Sequence, residues 1–142
     1  MESIRHYLEI KSPAGKVYKA ITEEDGLKSW WTDDVIANPE KGSIAEFRFG
    51  DQYHDKMRIT NLTENKNIQW VCIAGHEEWI DTEFIFDLEE RAGKTILRFV
   101  HGKWREATDF FGHCNYHWGW YMTSLKEYCE TGKGRPFISP QK

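Results

Sequence analysis

Residues 107–137, ATDFFGHCNYHWGWYMTSLKEYCETGKGRPF, constrain the fold of this chain more than any other stretch. At 3.6 residues per turn, Phe111, Cys114, Tyr121, Met122, Leu125 and Cys129 fall within roughly 60° of Trp118, and Phe110, His117 and Tyr128 flank them. His113, Thr123, Ser124, Lys126, Glu127 and Glu130 lie away from that stripe. The spacing predicts an amphipathic helix of about six turns, roughly 35 Å long. Gly132 suits its C-terminal cap, Lys133 and Arg135 suit the negative end of its dipole, and Pro136 forbids a restart. A helix this long with one apolar stripe needs a broad apolar surface to lie on.

Alternating runs supply that surface. In residues 3–11, Ile4, His6, Leu8 and Ile10 oppose Arg5, Tyr7 and Glu9, the period of a strand. Ser12-Pro13 opens a helix carrying Val17, Tyr18 and Ile21, and residues 22–25 cap a second short helix through Leu27 and Trp30. Residues 32–42 hold Asp-Asp, Asn-Pro and Gly and read as a loop. Five further strands follow at 43–50, 54–63, 67–73, 78–88 and 94–102. Turns at 65–67 and 91–93 make part of this a meander rather than βαβ units. The expected fold is α+β. A curved six-stranded antiparallel sheet wraps a long C-terminal helix, with two short helices after strand 1, in one domain spanning 1–142.

Composition narrows the function. A net charge of −4 argues against a nucleic-acid binder, and no apolar run reaches the ~20 residues of a membrane span. Residues 1–10 are charged and alternating, unlike a leader, so the expected location is cytoplasmic. Cys72, Cys114 and Cys129 are odd in number. The latter two sit roughly 22 Å apart along one helix, so reduced buried thiols are expected. Aromatic residues make up 15% of the chain, with seven tryptophans, which suggests an aromatic-lined cavity between sheet and helix.

Its expected lining is Phe47, Phe49, Met57, Ile59, Trp70, Phe84, Leu97 and Phe99 from the sheet, with Trp118, Tyr121, Met122 and Leu125 from the helix. Trp30 stands near the mouth. Asn61, in phase with Met57 and Ile59, and His101, beside Leu97 and Phe99, are the candidate polar anchors. His101 reads equally as a satisfied core histidine. His113 and His117 have a metal-chelating spacing, but no HExxH accompanies them, so they read as a surface and a boundary histidine. No metal or cofactor is assigned. Asp81, Glu83 and Asp87 share a face opposite the apolar one and read as solvated. Tyr116 and Trp120 lie opposite the buried stripe and suggest a weak homodimer contact. Gly119, in mid-helix, suggests close approach of another element and a cost on substitution by alanine.

The order of elements resembles the helix-grip superfamily of START, Bet v 1-like and polyketide-cyclase domains. The local match is closest to the activator of Hsp90 ATPase homologue 1-like branch. It rests on Pro13-Ala14-Gly15-Lys16-Val17-Tyr18-Lys19-Ala20-Ile21, on Leu27-Lys28-Ser29-Trp30-Trp31, on Gly119 to Tyr128, and on Glu130-Thr131-Gly132-Lys133-Gly134-Arg135-Pro136-Phe137. The resemblance implies a scaffold with a hydrophobic cavity, lipid or other hydrophobic small-molecule binding, and association with stress response. It also brings in an Hsp90-type chaperone as a candidate partner, although the N-terminal domain with which the full-length co-chaperone engages Hsp90 has no counterpart here. Three functions follow: a binder of an apolar or aromatic small molecule, a cyclase- or hydrolase-like enzyme using His101 with Asn61 or Tyr121, and a chaperone-linked interaction module.

Overall fold

The computed structural model describes residues 1–140. Its elements run β1 Glu2–Ile10, α1 Ala14–Thr22, α2 Glu24–Trp30, β2 Asp34–Ile36, β3 Ile44–Phe49, β4 Tyr53–Thr63, β5 Asn67–Ala74, β6 Glu83–Arg91, β7 Lys94–Trp104 and α3 Asp109–Thr131. The fold is α+β, with one antiparallel sheet in the order β1-β7-β6-β5-β4-β3-β2. α3 packs against β1, α2 and α1.

The sheet has seven strands, not the six expected. The extra one, β2, lies inside the expected loop and pairs Val35 with Phe47 of β3. Only Val35 of its three residues is buried, so there was no alternation for a period of two to reveal. Two further departures come from local backbone geometry. β6 begins at Glu83, not at residue 78, because residues 75–82 form a connection in which Gly75 and Asp81 take positive φ of 137° and 71°. That break resets the alternation and turns Trp79 inward, where an unbroken strand would expose it. In β4, Ile59 pairs with Trp70 and Asn61 with Gln69, so Thr60 is an extra residue and a bulge. Asn61 therefore leaves the face of Met57 and Ile59, and its amide donates to Asn67 Oδ1 at 2.8 Å.

The helix ends are held partly from a distance. α1 has no side-chain cap of its own, because the Ala14 N–H donates to Glu90 Oε1 of β6 at 2.7 Å. The Thr22 hydroxyl likewise does not cap α2 but donates to Tyr18 O at 2.9 Å. α3 keeps its expected C-terminal end, where Gly132 closes the helix with φ of 86°, and at its start Thr108 accepts from Phe111 N at 3.2 Å. Its buried face is Cys114, Trp118, Met122, Leu125 and Cys129, as the periodicity requires, plus Ser124. Ser124 is inside because the tail returns. Its hydroxyl donates to Trp30 O at 2.8 Å and accepts from Arg135 N at 2.7 Å. The tail then pairs with the segment after α2 through Phe137 N to Trp31 O at 2.8 Å and Asp33 N to Phe137 O at 3.0 Å.

Gly119 does not need to be glycine. A Cβ there would meet only His6 Cε1, at an ordinary 3.7 Å. Gly26 differs, since a Cβ would stand 2.6 Å from Ala20 Cα, where α2 crosses α1. Gly119→Ala is therefore expected to raise stability by about 0.5–1 kcal/mol, reversing the sequence expectation, through lower helix-interior cost. Gly26→Ala is expected to lower it by about 1–3 kcal/mol through overpacking. Urea midpoints of the two variants against the parent check both signs.

Candidate functional site

The sheet's inner face and α3 meet around a run of stacked indoles. Trp118 lies between Trp31, at 5.3 Å and 30°, and Trp79, at 6.3 Å and 12°. Trp30 stacks on the far side of Trp31 at 5.9 Å. Each ring's N–H or neighbour fixes its tilt. Trp30 Nε1 donates to Ala20 O at 2.7 Å, Trp79 Nε1 to Cys114 Sγ at 3.4 Å, and Trp118 Nε1 to His101 Nδ1 at 3.1 Å. Because Nδ1 of His101 accepts, the network assigns its proton to Nε2, which faces Thr82 Oγ1 at 2.9 Å. Thr82 in turn donates to Trp79 O at 2.6 Å. Burial pushes the His101 pKa well below its ordinary value, so the ring is neutral.

This stack forms one wall of a pocket of about 470 Å³. β3 and the turn after it add Phe49 and Gln52, and β4 adds Tyr53 and Asp55. The 75–82 connection adds His76 and Trp79, α3 adds Phe110, His113, Cys114, His117, Trp118 and Tyr121, and the tail adds Phe137. The pocket lies beside the N-terminal half of α3. Beside the C-terminal half, Met122, Leu125 and Cys129 join the buried core. At the mouth Phe137 meets Phe49 edge-on at 5.6 Å, and His76 stacks on Phe110 at 3.8 Å.

Asp55 is the one carboxyl in the pocket wall. It is 2% exposed, and its Oδ1 has no hydrogen-bond partner among the described residues. Burial raises its pKa to about 7, against the pull of the His76 backbone N–H. A Cβ on Gly75 would collide with Asp55 Oδ1, so glycine at this positive φ is what lets the connection pass over the carboxyl. Asp55 escaped the sequence reading although a signal existed: counting back by two from Ile59 and Met57 puts it on the inner face. His117 is kept neutral near pH 7 by burial and by the neighbouring His113, whose ring is 4.3 Å away. Among the described residues, no group of three His, Cys, Asp or Glu side chains could hold a metal ion. Burial pushes all three thiols up to about 12, which leaves them protonated and poor nucleophiles.

Of the residues singled out from sequence, Phe49, Trp118 and Tyr121 line this pocket. Phe47, Met57, Trp70, Phe84, Leu97, Phe99, Met122 and Leu125 are buried in the core behind it, with Ile59 at the core's edge. Trp30 is fully buried and the adjacent Trp31 reaches the pocket instead. His101 stands behind Trp118 with both nitrogens engaged, and Asn61 sits beyond the bulge among polar side chains. Gln52, Tyr53, Asp55, His76, Trp79 and Phe137 are lining residues that the sequence reading did not single out. Most belong to the 75–82 connection, the tail or the hairpin tip, where no periodicity operates.

The raised pKa of Asp55 makes a pH-dependent prediction. Between about pH 4 and 7 the folded chain holds a proton that the unfolded chain has released, so rising pH destabilises the fold across this window and no further above it. The loss is at most about 4 kcal/mol, from about 1.36 kcal/mol per pKa unit. Asp55→Asn lacks the titrating group. Urea unfolding is expected to find the variant more stable than the parent above pH 7 and the gap closing by pH 4. Parallel pH profiles would show a carboxyl that titrates normally.

A family model described as Activator of Hsp90 ATPase homolog 1-like protein matches residues 11–130. No curated protein sequence matches the chain. Among solved structures, that of the Aha1 dimer from Colwellia psychrerythraea is 41% identical, covering 94% of this chain and 100% of that one, with a TM-score of 0.85. A Staphylococcus saprophyticus protein, 17% identical, covers 96% of this chain and 98% of its own at a TM-score of 0.78. One from Mesorhizobium loti, 15% identical, covers 89% and 95% at 0.80. The last two speak for the fold alone. The match over residues 11–130, with the Colwellia relative, makes this chain a member of the activator of Hsp90 ATPase homologue 1-like family.

Proposed function

We propose that this protein is a small-molecule binder that takes an apolar or aromatic ligand into the pocket beside the N-terminal half of α3. The supporting observation is the pocket itself. It has about 470 Å³ of unfilled space walled by eight Trp, Tyr and Phe rings, in a core that elsewhere packs closely. Rings remove ligand surface from water at roughly 25 cal/mol per Å², so a two- or three-ring molecule is a chemically sensible guest. An enzyme of the cyclase or hydrolase type has less behind it. His101 has no free nitrogen and the thiols are protonated, which leaves no activated nucleophile or exposed base among these groups.

A second reading concerns assembly. On α3, Tyr116 is 79% exposed and Trp120 is 52% exposed, the latter covered on one side by the Arg135 guanidinium at 5.7 Å. The Colwellia relative is described as a dimer. We infer that a second copy of this chain covers these two rings.

A neutral dye such as N-phenyl-1-naphthylamine is expected to brighten on binding and to quench tryptophan emission. Gln52→Trp, at the exposed mouth, is expected to weaken that binding at least fivefold without lowering the unfolding midpoint. Unchanged affinity in this variant would put the dye elsewhere, and an unresponsive parent would end the binding reading. For assembly, sedimentation is expected to find a concentration-dependent dimer in the parent and a monomer in Trp120→Ala. A monomeric parent, or a dimeric variant, removes that interface.

A further inference from the structure

Asp55 is unusual for a pocket meant only for hydrocarbon. Its neighbours along the inner face are Tyr53 on one side and Met57 on the other, and Phe47 stands across from it on β3. Its carboxyl makes no ion pair among the described residues, and Oδ1 makes no hydrogen bond. A buried acceptor left without a donor costs roughly 1–3 kcal/mol, so its presence calls for an explanation. Among the described residues, the pocket wall carries no lysine or arginine to serve as that partner. What the wall does carry is ring faces, whose negative quadrupole attracts a cation.

We propose, building on the binding reading above, that the pocket selects an aromatic or apolar amine, with its protonated nitrogen donating to the Asp55 carboxyl and its body against the indole wall. The carboxyl was already stripped of water when the chain folded, so pairing adds only the ligand's own desolvation cost. A protonated amine supplies both things the Asp55 carboxyl lacks, a donor for Oδ1 and a positive counter-charge. An alcohol supplies only the donor, and a carboxylate is repelled. Burial lowers the His117 pKa from its ordinary value, and two thiols near the carboxyl, Cys72 and Cys114, are uncharged; His76, His113 and Tyr53 complete the polar side of the wall with Gln52.

Three probes of one shape separate the cases: 1-naphthylmethylamine, 1-naphthalenemethanol and 1-naphthoate, titrated against tryptophan emission at pH 8. The parent is expected to bind the amine at least tenfold more tightly than the alcohol, and the carboxylate more weakly than either. Asp55→Asn is expected to bring amine and alcohol within about twofold of each other while the alcohol's affinity holds. If that variant does not fold, Asp55→Ser, smaller and equally uncharged, takes its place with the same expected ratio. Equal affinities for amine and alcohol in the unaltered protein overturn the amine proposal and leave the apolar binding reading standing. Failure of all three probes to bind overturns both. A preference for the amine that survives the loss of the carboxyl overturns the role of Asp55.

Discussion

The hydrogen bond from Trp118 Nε1 to His101 Nδ1 joins the two halves of this protein. It is buried, it links the central position of α3 to β7, and it fixes the plane of the ring against which Trp31 and Trp79 stack. Removing either partner would leave a polar atom unpaired in a dry core, which costs more than the bond itself contributes. The histidine is held in turn by Thr82, and Thr82 by the backbone of Trp79. One chain of donors thus orients both the helix and the connection that frames the pocket.

The same rings that form the core also leave it incomplete. Toward the C-terminal half of α3, the helix meets α1 and α2, and aliphatic and sulfur side chains fill the space. Beside its N-terminal half lies the pocket. There the 75–82 connection, the turn after β3 and the returning tail stand around an opening that rigid, flat rings do not fill. Indoles held by stacking, and for Trp79 and Trp118 by ring N–H hydrogen bonds, cannot collapse into the gap as leucines could. A cavity persists because its walls are already committed to other partners.

The strands and the long helix were readable because a period of two or 3.6 repeats over many residues. Cys114, Trp118, Met122, Leu125 and Cys129 are where the helical spacing puts them. Legibility failed wherever one residue broke the count. Thr60 turned Asn61 outward, the 75–82 connection with its positive φ at Gly75 and Asp81 turned Trp79 inward, and Val35 was too isolated to announce a strand. The pocket draws on one of those interruptions, the 75–82 connection, and on the hairpin tip and the tail, so of the expected lining Phe49, Trp118 and Tyr121 border it, joined by Tyr53, Trp79 and Phe137, which no periodicity marks. Asp55 was overlooked for a different reason: a charged residue, here flanked by His54 and Lys56, is ordinarily read as solvent-facing.

By itself, the sequence determined the class of fold, the C-terminal cap of α3, its apolar stripe, and an excess of aromatic side chains over what a small core uses. These are local properties, set by residue type and by spacing within one element. Only the tertiary structure decided that Trp31 rather than Trp30 faces the opening, that His101 is fully engaged, and that Asp55 is buried beside a glycine with one oxygen unpaired. Each of those depends on which elements meet, and on bulges and positive-φ residues that shift a side chain from one face to the other. A single bulge or positive-φ residue moves a neighbouring side chain to the opposite face, and no pattern of residue types records it.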